Sequence, residues 1–154
     1  PGMAYTTAEG RRELLDDVAA AADEIGSALA ALGAAYEQLD EHAADALEER
    51  LFGPVQAAYA RVRHAYADFA ARVGLEARAI APRDAGAAST GARGFVEEAV
   101  EAVEEADAIL SELQDSMLPV EVGDQELRAG LSAVRELLGP VPGRARELVR
   151  VLGR

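Results

Sequence analysis

The sequence contains no cysteine, no tryptophan, no lysine and no asparagine. Without cysteine there is no disulfide, no thiolate metal site and no thiol nucleophile. Aromatic residues make up only 5% of the 154 positions, so any core must be filled by aliphatic side chains and alanine. Positive charge rests on arginine alone: fifteen arginines stand against twenty-eight acids, a net charge of −13. A field of that sign repels phosphate backbones and argues against nucleic acid as a partner. The missing lysine fits the codon bias of a GC-rich bacterial coding sequence. A functional alternative is avoidance of lysine-directed modification in a protein that works beside a ligase or a degradation machine. Long uninterrupted apolar runs are missing too, since none approaches the roughly 20 residues that cross a bilayer. No membrane span is therefore expected, and the cytoplasm is the expected location.

What is abundant is alanine, within a composition that is half apolar. Alanine is the best helix former and a poor strand residue, so composition favours helices. The apolar spacing agrees. Leu15, Val18, Ala22, Ile25, Leu29, Leu32, Tyr36 and Leu39 alternate strictly by three and four residues. So do Val55, Tyr59, Val62, Tyr66, Phe69 and Val73. A third set runs from Val96 to Met117 and a fourth from Leu127 to Leu152. Each set lays one coiled-coil-like seam along a helix, and four seams predict an all-α, up-down four-helix bundle with near-parallel packing. The expected organisation is a single helical-bundle domain over 1–154, made of a hairpin over 7–74, a linker over 75–91 and a hairpin over 92–153.

End signals mark the elements. Thr6 with Glu9 three residues later reads as a capping box that opens helix one. Asp40 is placed to cap helix two, Ser89 or Thr90 helix three, and Gly123-Asp124 helix four. Met117-Leu118-Pro119 ends helix three, because the residue before proline is pushed out of the helical region. Helix one either stops near residue 39 or runs unbroken to Phe52, ahead of Gly53-Pro54. The pentad Leu51-Phe52-Gly53-Pro54-Val55 recurs as Leu137-Leu138-Gly139-Pro140-Val141. In each case proline removes an amide and crowds the preceding turn, so the second helix of each hairpin is expected to kink or break there. Charge repeats as well. Residues 9–49 carry twelve acids and two arginines, and residues 50–93 carry seven arginines and three acids. Residues 95–127 carry eleven acids and no base, and residues 128–154 carry six arginines and two acids. Both repeats fit a divergent duplication of one hairpin.

Chemistry-bearing motifs are sparse. His64 falls opposite the seam, beside Arg61 and Arg63, as an exposed histidine. A phosphoryl-accepting histidine would want a lysine and a glycine following it, whereas Ala65, Tyr66, Ala67 and Asp68 follow here. His42 stands in an interhelical turn. The acids Glu97, Glu98, Glu101, Glu104, Glu105 and Asp107 flank an apolar seam and lack the Glu-x-x-His pattern of carboxylate-bridged metal sites. They read as a solvated face or as electrostatic partners of a basic helix. Gly86 to Gly94 follows no strand and has no lysine, so it is not a phosphate-binding loop. No serine or threonine lies near a histidine in sequence. No cofactor, metal or catalytic set is therefore assigned. Arg144, Arg146, Arg150 and Arg154 form a basic C-terminal patch that complements the helix dipole and acidic neighbours.

The informative oddity is alanine where an outer helix face is usually polar. Helix one carries it at residues 19–21, 28, 30, 31, 34 and 35, and the helix over 55–73 carries Ala70 and the four residues Ala57, Ala60, Ala67 and Ala71 away from its seam. Small side chains let another helix approach closely. These four alanines, above Tyr59 and Tyr66 in the core, are the expected interaction face of a non-enzymatic interaction or scaffold protein. It would act by self-association or by binding another helical protein, with acidic and basic helices selecting the pairing. A small-molecule-binding or catalytic bundle is the alternative, needing a cavity beside Ala22, Ala99 and Ala106. A second alternative comes from Tyr36-Glu37-Gln38-Leu39-Asp40, which fits a loose Tyr-x-x-x-Asp/Glu export signal. In this and in its hairpin architecture the chain resembles the helical proteins of the type VII secretion class, which implies export. The Trp-x-Gly turn of that class is missing, and Tyr36 lies in the seam and is expected in the core.

Overall fold

The seams become helices in a computed structural model, which describes residues 2–87 and 91–152 and, from residue 7 onward, their side chains. In order these are α1 (Gly2–Glu37), α2 (Glu41–Leu47), a π-helical turn (Glu48–Phe52), α3 (Gly53–Val73), α4 (Gly91–Asp115), α5 (Leu118–Glu121), α6 (Gln125–Leu138) and α7 (Val141–Leu152). The fold is all-α. Ser89 and Thr90, expected as caps of α4, lie outside the described residues.

Helix one stops at Glu37. The Asp40 carboxylate accepts the Ala43 amide at 2.8 Å and starts α2 afresh, which closes the question of an unbroken helix to Phe52. Its beginning differs from expectation: α1 starts at Gly2, and Thr6 lies inside it rather than at its cap, because no breaker interrupts residues 2–6. From Glu41 to Val73 the chain stays helical. Ahead of Pro54 the Gly53 amide reaches back five residues to the Glu48 carbonyl, so the extra residue of a π turn is inserted where proline has no amide to give. The second pentad behaves differently: the Gly139 amide bonds four residues back, to the Arg135 carbonyl, and α6 and α7 meet at Gly139-Pro140. Met117 sits at φ 67°, left-handed, and turns the chain from α4 into α5.

Helix α1 makes its most extensive contact with α4; α3 packs on α6 and α1, and α4 packs on α7. Leu14, Leu15, Val18, Ile25 and Leu32 of α1 join Val62 and Phe69 of α3, Val103 and Leu110 of α4, Leu131 of α6 and Val141 of α7 in one continuous buried core. Gly130 of α6 permits the α3–α6 approach, since a β-carbon there would stand 3.0 Å from that of Ala65.

Two sequence expectations are corrected, on Tyr36 and on membrane-spanning length, and between them stands a charge relationship that the sequence left open. Tyr36 is 41% exposed, not core, because the last turn of α1 extends to the edge of a groove it shares with Gly33, Glu37, Glu48 and Phe52. Oppositely charged helices are not the principal neighbours. Helix α1 holds seven acids and two arginines (2 − 7 = −5) and α4 eight acids and one arginine (1 − 8 = −7), yet these two form the largest contact. Alanine explains this: Ala19, Ala22, Ala99, Ala102 and Ala106 are buried, and short side chains let two helices close over apolar surface while their carboxylates splay outward. Finally, the expectation that nothing here is long and apolar enough to cross a membrane is overturned. The helical stretch Thr7–Glu37, 31 residues long, meets that description by length and composition. Its alanines add up to an apolar segment in which Asp23 and Glu24 are the only charged residues between Val18 and Ala35. In the fold 61% of that apolar window is buried, as in a core helix.

Candidate functional site

Two surfaces concentrate the features that sequence singled out: the outer face of α3, and the segment 74–87 laid over α1.

On α3 the inner face is fixed by Val55, Ala58, Val62, Ala65, Phe69 and Ala70, all buried. The helical period then sends Ala57, Ala60, Ala67 and Ala71 outward, and all four are exposed. His64 stands among them, 70% exposed, with Nε2 2.9 Å from the Asp68 carboxylate one turn on. Of the two tyrosines expected beneath, Tyr66 is buried and Tyr59 half-buried, the latter under the Arg63 guanidinium at 5.2 Å from its ring centre. The structure thus brings the four alanines onto one accessible strip. The alanines of α1 went elsewhere: Ala19, Ala21, Ala28, Ala31 and Ala35 are fully buried by the chain's own helices. Ala22, Ala99 and Ala106 belong to the same continuous core.

Residues 74–87 are irregular in backbone but tied down at every turn. Gly74 closes α3 in the left-handed region at φ 70°. The Arg78 amide donates to the Tyr66 hydroxyl at 2.8 Å, and the Arg78 guanidinium forks the Asp23 carboxylate at 2.6 and 3.3 Å. Asp23 also accepts the Ala81 amide at 2.7 Å, and the Ser27 hydroxyl accepts the Arg83 amide at 2.8 Å. Arg83 grips Glu24 at 2.5 and 2.8 Å, and the Gly86 amide meets both Glu98 oxygens on α4 at 3.1 Å. Gly26 makes room for this strap, because a β-carbon there would lie 2.7 Å from Pro82 and 2.9 Å from Tyr59. Sequence reasoning read this stretch as a linker. The signal it overlooked was Asp23, Glu24 and Ser27 on the most apolar helix, where half-buried carboxylates need partners.

At the other end of the α1–α4 contact no arginine intervenes. Glu13, Asp17 and Glu112 line a groove of about 480 Å³ over Ile109, Leu113 and Leu118. Burial first, then the charges of Glu13, Asp16 and Glu112, push the Asp17 carboxyl above its ordinary value. Of the acids on α4, Glu97, Glu101, Glu104 and Glu105 are exposed and Glu98 and Asp107 half-buried. Asp107 is held by Arg135 of α6 at 2.8 and 3.3 Å. Among the described residues no group of three or more histidines and acids has the arrangement to hold a metal ion. Comparison with protein-family models, curated proteins and solved structures finds no match.

Proposed function

We propose that this chain is a non-enzymatic helical interaction protein of the cytoplasm. In this reading it is an up-down four-helix bundle of two hairpins, with Gly-Pro interruptions in the second helix of each. It works by self-association or by docking a helix of another protein on the outer face of α3. The observation that carries the reading is the exposure of Ala57, Ala60, Ala67 and Ala71 together, while Ala19, Ala21, Ala28, Ala31 and Ala35 of α1 are buried inside the fold. A strip of methyl groups lets a second helix approach within about 8–10 Å between axes. The test is solution mass by light scattering over a concentration series, with Ala60→Glu compared at matched helicity by circular dichroism. The substitution is expected to abolish assembly, or, if the chain is monomeric, to abolish capture of its partner from the source cell. An Ala60→Glu protein that assembles and captures like the parent refutes the α3 strip as the interaction face.

A second reading, an exported helical protein, is favoured by one observation. Tyr36 and Asp40 of the Tyr-x-x-x-Asp pattern are both exposed at the α1–α2 turn, open to a receptor. Secretion into culture supernatant that is lost on Tyr36→Ala tests it; a strictly cell-associated chain rejects it.

A further inference from the structure

Between α4 and α7 runs a groove of about 490 Å³ whose floor is Val96, Val100, Ala145 and Val149. Its walls are of opposite sign. Glu97 and Glu101 rise from α4 with Arg93 beside them, which leaves that wall one net negative charge, and Arg146 and Arg150 rise from α7. No ion pair joins the two walls. Glu97 pairs instead along its own helix with Arg93, at 3.2 Å and well exposed. Among the described residues the side chains of Glu101, Arg146 and Arg150 make no hydrogen bond or ion pair. Six of the other arginines, Arg50, Arg72, Arg78, Arg83, Arg93 and Arg135, hold a carboxylate.

We propose that the occupant of this groove is a second copy of the chain, related by a two-fold axis. A patch with one acidic and one basic wall is complementary to itself when turned through 180°, which is what a closed symmetric dimer demands. Arg146 and Arg150 of one copy then meet Glu97 and Glu101 of the second copy, and the reciprocal pairs form at the same time. Val100 and Val149, half-buried in the single chain, become covered. The alternative surface for self-contact on this side, the α1–α4 wall around Glu13, Asp17 and Glu112, is disfavoured by its own charge, since those acids would meet their like across a two-fold axis. The proposal rests on the reading of the chain as an interaction protein, but it uses a different surface from the alanine strip of α3.

The experiment uses the full chain and three variants, followed by analytical ultracentrifugation over a concentration series, with circular dichroism as the check on folding. The variants are R146E/R150E, E97R/E101R and the combination of all four substitutions. The parent is expected to dimerise, and each single-wall variant to dimerise at least tenfold more weakly. An equimolar mixture of the two single-wall variants recovers a dimer, because each mutated wall then faces an oppositely charged one. The fourfold variant recovers it alone, and both recoveries show that the variants are folded. A parent that stays monomeric, single-wall variants that dimerise like the parent, or a mixture that stays monomeric each overturns the proposal. Ala60→Glu run in parallel separates the two surfaces. Association lost in Ala60→Glu but kept in the wall variants assigns it to α3 and overturns the groove. The converse assigns it to the groove.

Discussion

Arg72, in the last turn of α3, grips both carboxylate oxygens of Asp124, the cap of α6, with Nε at 2.6 Å and Nη2 at 2.9 Å. The same carboxylate accepts the Leu127 amide at 2.8 Å, so one side chain starts a helix and fastens its neighbour. Both partners are about one-third exposed, which screens the charge term. Loss of the cap dominates, and Asp124→Ala is expected to cost about 1–2 kcal/mol. Arg72→Ala is expected to cost less, about 0.5–1 kcal/mol. A double-mutant cycle by denaturant unfolding checks the coupling.

The Arg72 hydrogen bond and then the Leu127 amide hold the Asp124 carboxyl below its ordinary value, against the opposing effect of burial. A folded pKa below the unfolded one gives stability that is present above about pH 3.9 and is lost as pH falls through the folded value. Asp17 has the opposite sign, because burial and its acidic neighbours raise it. Its contribution is present below about pH 3.9 and is lost as pH rises through the raised value. Asp17→Asn is therefore expected to raise the melting temperature at pH 7 by about 1–2 °C, a figure discounted for partial exposure, and to leave it unchanged at pH 3. Melting curves across that range decide the matter, and equal shifts at both ends would remove ionisation as the cause.

Gly26→Ala separates the strap from the helix beneath it. Alanine in a helix interior gains up to about 1 kcal/mol over glycine, so α1 itself is not weakened. The added methyl collides with Pro82 and Tyr59, at 2.7 and 2.9 Å, and is expected to lift the strap. Trypsin cleavage after Arg78 and Arg83 then accelerates while helicity is kept. Unchanged cleavage kinetics would show that the strap tolerates the displacement.

Gly130→Val tests the α3–α6 contact. The new β-carbon meets that of Ala65 at 3.0 Å, backbone-borne on both sides, so neither group can rotate away. Overpacking of this kind costs about 1–3 kcal/mol. Chemical denaturation of Gly130→Val and of Ala65→Gly/Gly130→Val, in which the opposing methyl is removed, is expected to show loss and then partial recovery.

The helices were legible from residue spacing. Val62, Phe69, Val103, Leu110, Leu131 and Leu138 all lie where their three-and-four alternation places them, in the core. The Asp40 and Asp124 caps were legible too, because capping is a contact over three residues and depends on little beyond them. Met117-Leu118-Pro119 marked a break after α4, although it is Met117 that leaves the helical region, while Leu118, the residue before proline, opens α5. The π turn ahead of Pro54, set against the plain i−4 bond at Gly139, was not legible, since the two pentads have almost the same letters. Nor was Tyr36, whose seam position says which side of α1 it occupies but not whether a neighbour reaches that far along.

The amino-acid sequence by itself determined that the protein is helical, where most of its helices turn, and which stripe of each is apolar, because propensity, capping and periodicity act over one or two turns of chain. The tertiary structure alone decided that acidic α1 lies along acidic α4, that Arg78 and Arg83 return to Asp23 and Glu24 more than fifty residues away, and that Ala19, Ala21, Ala28, Ala31 and Ala35 of α1 are buried while Ala57, Ala60, Ala67 and Ala71 of α3 stay exposed. The physical reason is alanine. Its side chain is small enough to be buried at little steric cost and apolar enough to gain little from water. Its location is therefore set by what the rest of the chain brings against it.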